Sequence, residues 1–313
     1  MKSLRLTFLQ WFRALSLCGI ATFASAQSLV LAQIDGLKKA ENAIQTSNGR
    51  TFVSTDGALY ELQQSSTGKW TAKVVPARFS NPNLAACYFT GLTEYAGTLY
   101  GTCAEGTFSA SAPKHLLALD LSQAQGVWQQ IASLNSKGFA NGLASDGTGY
   151  LYYTSTPLLQ SGSVWRIKLG GRFNVTEEKE FHTFTLCVGN GLKIHNNRLY
   201  VGVNPVTFAG LSQLLRYDIT ASGLTNKSVI YYSWAILDDF SLVKDGLVIA
   251  EYLGQRVAHI TENGKVLNTA KFSSPSSAHL IRDPASGNRA LLVTEAGANR
   301  VQILNNAWNL APR

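Results

Sequence analysis

The chain has 313 residues and carries 27 Lys or Arg against 19 Asp or Glu, a formal charge of +8. Charged residues make up 15% of it, below the roughly 25% of an average soluble domain, while 45% are hydrophobic and 27 are glycine. Such a composition excludes a disordered or fibrous chain, and Lys and Arg that are scattered rather than clustered argue against nucleic acid as a partner.

At the N-terminus, Lys2, Arg5 and Arg13 precede a short apolar run from Ala14 to Ala26, and Ala24-Ser25-Ala26 fits the small-x-small cleavage rule before Gln27. Residues 1–26 are therefore expected to be a secretory signal peptide. The apolar run is shorter than the ~20 residues a bilayer needs, and no later segment is long enough either. The expectation is a secreted or periplasmic protein with no membrane attachment after cleavage. Cleavage removes three basic residues and no acidic one, lowering the charge to +5. It also removes Cys18 and leaves Cys87, Cys103 and Cys187. In an oxidising compartment three cysteines imply one bridge and one thiol. Cys87 with Cys103 is the shortest closure, but the sequence leaves the pairing open. The absence of CxxC and CxxH spacings argues against structural zinc.

The rest of the chain repeats. One unit, made of short apolar runs separated by turn signals, begins at Glu41 (ENAIQ, RTFVST, GALYEL), Thr90 (TGLTEY, TLYGTC, HLLALDL) and Asn141 (NGLASD, YLYYTST, SVWRIKL). It recurs at Asn190 (NGLKIH, RLYVGV, QLLRYDI), Asp238 (DDFSLV, GLVIAEY, QRVAHIT) and Ala278 (AHLIRD, RALLVTE, NRVQIL), at intervals of 49, 51, 49, 48 and 40 residues. Runs of four to seven residues rich in Tyr, Val, Leu and Ile between Asn-Gly and Asp-Gly turns are hairpin strands. A fourth, polar-apolar strand follows at Lys69–Val75, Val127–Leu134, Val175–Phe181, Lys227–Ser233 and Lys265–Phe272. The period is far longer than a β-helix rung, and a β-sandwich has no reason to repeat. The predicted fold is all-β: a six-bladed β-propeller of four-stranded antiparallel blades, a single domain over residues 27–313. The sixth unit lacks a fourth strand, and Ser28–Ile34 is predicted to supply it and close the ring.

In such a ring the residues that open each unit face one another around the axis. The column reads Glu41, Thr90, Asn141, Asn190, Asp238 and Ala278, followed by Asn42, Gly91, Gly142, Gly191, Asp239 and His279. Carboxylates gathered in a channel are costly unless a cation neutralises them. An all-oxygen set of two carboxylates and two amides suits one hard divalent cation, calcium before magnesium.

With Glu41 in ENAIQ, Asn141 in ANGLASD, Asn190 in GNGLKI and Asp238 in LDDFSLV, the sequence resembles the senescence marker protein (regucalcin)/gluconolactonase group of six-bladed propellers, related to diisopropyl fluorophosphatase and the paraoxonases. The resemblance runs from Glu41 to Leu304 and lies in the joint register of motifs that are individually weak. It implies a metal held by Glu41, Asn141, Asn190 and Asp238, and a lactone- or ester-hydrolysing activity on a small-molecule substrate. Asp238 would serve as base or nucleophile with Asp239 in reserve, and Asn42, Thr90 and His279 would orient substrate. The pattern also departs from its relatives. A second, structural calcium would use an Asp where Ser241 stands, leaving only His279 of that pair, and the paraoxonase catalytic His is replaced by Thr90. Specificity is expected in the loops Ala104–Pro113, Pro157–Ser161 and Asn204–Leu211. There is no GxSxG for a serine triad. The matched Glu251 and Glu295 suggest a shared turn role. Two other readings stand beside the hydrolase: a non-catalytic propeller binding protein, peptide or glycan through its loops, and a lyase-like propeller that has lost or repurposed the metal. A closed ring needs no partner to cover an edge, so a monomer is expected.

Overall fold

The computed structural model describes residues 30–81, 86–106, 111–306 and 308–313. The expected signal peptide lies outside them. Six antiparallel sheets follow one another around a ring. Their innermost strands are Ala43–Gln45, Cys87–Tyr95, Phe139–Ser145, Cys187–His195, Leu237–Val243 and Pro275–Arg282. The outermost strands of blades 1 to 5 are Trp70–Val75, Trp128–Leu134, Asn174–Thr183, Leu224–Ser233 and Val266–Lys271. Blade 2 adds the short strand Ala77–Arg78, parallel to Trp128–Leu134. The outermost strand of blade 6 is Val30–Asp35, which pairs antiparallel with Arg300–Asn305 from Val30 opposite Leu304 to Asp35 opposite Arg300. The ring is therefore closed by joining the two ends of the described chain, as the short sixth repeat predicts. Ser28, where the predicted closing strand starts, lies outside the described residues.

Each sheet buries both faces, so the apolar core is divided among the junctions between blades. Phe52 and Leu59 of blade 1 meet Phe89, Leu117 and Trp128 of blade 2. Leu292 and Ile303 of blade 6 meet Val53 and Trp70 of blade 1 across the closure. Tyr152 and Val164 of blade 3 meet Leu199 and Leu215 of blade 4. Trp128 is fully buried, at roughly the 150–250 Å² an aromatic side chain hides. Cys87 and Cys103, on adjacent strands of blade 2, form the disulfide and leave Cys187 free and half-buried. Glu251 and Glu295 are buried within the last two blades. Glu251 accepts hydrogen bonds from Tyr231 and Ser233 and pairs with Arg256. Glu295 accepts from the Ser273 backbone and Gln302 and pairs with Arg300. Both carboxylates tie a strand-joining turn to the neighbouring chain.

Candidate functional site

The innermost strands are not regular. Pairing with the second strand skips a register between Phe89 and Leu92, Ala140 and Leu143, Gly189 and Leu192, and Leu237 and Phe240. Each skip is a bulge, which bends a strand and re-aims its side chains. The residues inside the bulges are Thr90-Gly91, Asn141-Gly142, Asn190-Gly191 and Asp238-Asp239, the column read from the repeat. Glycine follows because the next blade comes very close. A Cβ on Gly91 would lie 2.3 Å from the Asn141 carbonyl oxygen, on Gly142 2.5 Å from that of Asn190, and on Gly191 2.7 Å from that of Asp238. Second-strand hydroxyls latch these bulges together. Thr154 Oγ1 accepts from the Gly142 N–H at 2.9 Å and donates to the Asn190 carbonyl at 2.6 Å. Thr294 serves the Ser277 N–H and the Glu41 carbonyl in the same way, and Ser54 links Asn42 to Thr90.

The result is a cavity of about 560 Å³ at one face of the ring, lined together by Glu41, Asn141, Asn190 and Asp238. Tyr88, which the repeat did not single out, also lines it and donates its hydroxyl to Glu41 Oε1. The signal for Tyr88 was strand alternation, since residues two apart share a face. Lys39, Tyr88, Phe139 and Ile236, each two positions before a column residue, all line this cavity.

The electrostatics follow from enclosure. Burial pushes the Glu41 carboxyl up to about 7, against the pull of the Tyr88 hydrogen bond and of Lys39. Burial, with Glu41 and Asp239 nearby, raises Asp238 well above the usual carboxylate range, and a hydrogen bond from Asn190 opposes this. Burial and Glu41 raise the Tyr88 phenol, so it stays protonated as a donor. The Asn190 Oδ1 is buried and has no hydrogen-bond partner. An orphaned amide oxygen beside two carboxylates that resist ionising together is a set of acceptors that a cation would satisfy. Among the described residues no group of three or more His, Cys, Asp and Glu side chains is gathered to hold a metal. The donor set here has two carboxylates and two amides, which fits a hard, oxygen-seeking ion and not zinc.

The other candidate residues lie elsewhere. Asp239 is 5% exposed and turns away from the cavity: both its oxygens take the Lys193 ammonium at 2.7 Å, and Asn42 Nδ2 donates to it at 2.8 Å. Thr90 is buried against Thr102 and the Ala140 carbonyl. His279 meets Ser241 Oγ at 3.1 Å, and burial together with Lys193 lowers its imidazole to about 4, so it is neutral. Lys193, Ser241 and His279 line a separate cavity of about 330 Å³ at the opposite end of the channel, with Pro312 and Arg313 at its edge. Asn42, Thr90, Asp239 and His279 therefore do not touch the space that Glu41 and Asp238 enclose. The reason is the pleat and the bulge, which turn the following residue outward or downward. Of the three predicted specificity loops, Pro157–Ser161 contributes Leu158 and Asn204–Leu211 contributes Phe208 to the cavity. None of the described residues of Ala104–Pro113 lines it.

Fold and site together define a six-bladed β-propeller with a carboxylate-bearing cavity at a channel mouth. No protein-family model and no curated protein matches the sequence. Among solved structures the chain is similar to a gluconolactonase from Xanthomonas campestris, at 15% identity over 92% of this chain and 93% of that one, with a TM-score of 0.65. It is also similar to virginiamycin B lyase from Staphylococcus aureus (14% identity, 85% and 80% covered, TM-score 0.54). An aldose sugar dehydrogenase from Streptomyces coelicolor is a third such structure (12% identity, 89% and 97% covered, TM-score 0.53). The resemblance to gluconolactonase-type propellers thus holds at the level of the fold, which several chemistries share.

Proposed function

We propose that this protein is a divalent-cation-dependent hydrolase of lactones or esters. The observation that carries the proposal is the convergence of Glu41, Asn141, Asn190 and Asp238 on one cavity, with the Asn190 amide oxygen left without a partner. The fold-level likeness to a gluconolactonase supports it. Glu41, Asn141, Asn190 and Asp238 would hold the ion, calcium before magnesium. When bound, the ion supplies Lewis acidity that polarises a carbonyl oxygen.

The protein's own groups supply the rest. Asp238 accepts a proton from the water that attacks the carbonyl carbon. As the acyl carbon–oxygen bond breaks, the same proton passes to the departing alkoxide, leaving an acid and an alcohol, or a hydroxy acid from a lactone. The Asn190 amide donates to Asp238 and fixes its plane. Tyr88 holds Glu41 through its hydroxyl, and Phe139 and Ile236 keep bulk water from the walls. Secretion and a monomeric state belong to the same reading.

Elemental analysis of purified residues 27–313, beside an Asp238→Asn variant, tests it. One stoichiometric divalent ion lost in the variant, together with turnover in a lactone and ester screen that chelation abolishes, is the expected result. Protein that carries no ion, and whose melting calcium does not change, would hand the lead to a non-catalytic binding propeller.

A further inference from the structure

The cavity wall carries apolar surface as well as its polar column. Lys39, Glu41, Tyr88 and Asn299 come from blades 6, 1 and 2 and carry no large aliphatic side chain; blades 3 to 5 bring the polar Asn141, Thr156, Asn190, Asp238 and Tyr252 together with the apolar Phe139, Leu158, Phe208 and Ile236. Apolar side chains stand exposed close in sequence to these residues. Leu159 is 76% exposed beside Leu158, Trp234 is 83% exposed two residues before Ile236, and Leu253 is 59% exposed beside Tyr252. Leu186, 70% exposed, sits in the linker between blades 3 and 4. Single exposed leucines need no explanation, but large apolar side chains within two residues of Leu158, Ile236 and Tyr252 of one cavity wall do; Trp234 and Leu253 also line a neighbouring cavity with Tyr231 and Arg256. Backbone conformation adds a second observation. Leu159, Leu186 and Phe208 hold φ of 55°, 54° and 54°, a left-handed region that bulky residues rarely adopt and that marks binding loops when it recurs. Leu159 and Leu186 join none of the blade-junction cores, so their exposure and strain do nothing to hold the ring together.

We infer that the substrate is an amphiphile, an ester or lactone bearing an alkyl or acyl chain. Its carbonyl end reaches Glu41, Asn141, Asn190 and Asp238, and its chain runs along Phe139, Leu158, Phe208 and Ile236 toward Trp234. The carbonyl end rests on the hydrolase reading; the chain end rests on the wall alone. A cavity of about 560 Å³ has room for a small ring and a chain of medium length. A sugar lactone would bring a hydroxyl on nearly every carbon, and four of the wall residues it would meet offer no hydrogen bond.

Two ligand series test the inference and keep it separate from the hydrolase reading. The first is a set of 2-alkylcyclopentanones, methyl to octyl, which mimic a lactone ring and cannot be hydrolysed, titrated calorimetrically into calcium-loaded protein. Affinity should rise about threefold to fourfold per methylene. The slope should fall below twofold in Phe208→Ser and Leu158→Ser; Leu158 is 54% exposed, so its variant folds even if the other does not. Affinity independent of chain length, or a slope unchanged in a folded Leu158→Ser protein, overturns the inference. The second series compares turnover of γ-lactones of increasing chain length with glucono-1,5-lactone. Faster turnover of the sugar lactone overturns the amphiphile and leaves the hydrolase standing. Chain-dependent ketone binding without turnover of any lactone supports the apolar ligand class and removes the hydrolase.

Discussion

Alanine at Gly142 probes how closely two blades must approach to build the cavity. Its Cβ would stand 2.5 Å from the Asn190 carbonyl oxygen and 2.7 Å from the Leu192 nitrogen, where ordinary contact begins at 3.4 Å. The inner strands of blades 3 and 4 must therefore separate by about 0.9 Å. Neither atom can swing aside, because both belong to the backbone and the Asn190 carbonyl is held by Thr154. Overpacking of this kind costs about 1–3 kcal/mol. With an unfolding entropy of about 0.6 kcal/mol/K for a chain of this length, the melting temperature should fall by about 2–5 °C. The displaced strand carries Asn190, so calcium affinity should drop by about tenfold to a hundredfold, the usual effect of disturbing what orients a ligand. Melting curves with and without calcium, and calorimetric calcium titration, read the two effects. Gly171 is the control, since a Cβ there meets nothing within 4 Å. Wild-type melting and wild-type calcium affinity in Gly142→Ala would refute the reasoning, as would an equal loss in Gly171→Ala.

Thr154→Val keeps the side-chain shape but strips the hydroxyl from the Gly142 N–H and the Asn190 carbonyl. Stability should fall by about 1–3 kcal/mol, with weaker calcium binding; an unchanged urea midpoint would mean that the latch does not matter. Replacing Cys87 and Cys103 by alanine opens a loop with a sequence separation of 16 and should remove about 3 kcal/mol of unfolding free energy; equal unfolding energies for the oxidised protein and the double variant would count against it. In chelator, the Glu41 carboxyl is raised from 4.5 to about 7 in the folded protein. A raised group gives stability that is complete below pH 4.5 and lost as pH climbs through 7. Asp238 acts in the same direction. Cation-free protein should thus lose this contribution between pH 4.5 and 8, and calcium should restore more at pH 8 than at pH 5. Melting that rises across that range in chelator, with no larger calcium effect at pH 8, contradicts the assignment.

Much of this architecture was legible because a propeller repeats local signals. Alternating Tyr, Val and Leu runs between Asn-Gly and Asp-Gly turns recur six times, and the missing strand after Arg300–Asn305 called for a partner at the other end of the chain. The column of Glu41, Asn141, Asn190 and Asp238 could be read because the repeat fixes its register. What could not be read was the direction of the neighbours. Asn42 and Asp239 look like further site groups on paper, yet they bond each other below the cavity floor. Tyr88 was not singled out by the repeat, because its partner Glu41 lies 47 residues away in the preceding blade. Lys193 gave no signal of the ion pair that satisfies Asp239, since that contact crosses from blade 4 to blade 5. Local pattern specifies strands; contacts between blades decide which side chains share a space.

The two cavities at the ends of the channel share no lining residue. Between them lie the glycine bulges and the Asp239–Lys193–Asn42 cluster, and Pro312 pairs with Val243 at the far end. Among the described residues the two cavities are thus separate spaces. Among the described residues, a ligand that enters toward Glu41 and Asp238 meets Leu158 and Phe208 in the same wall on its way in and out. If the proposed hydrolase acts on chained substrates, the tail of the product occupies the cavity mouth last, and product release becomes a step that the walls can slow.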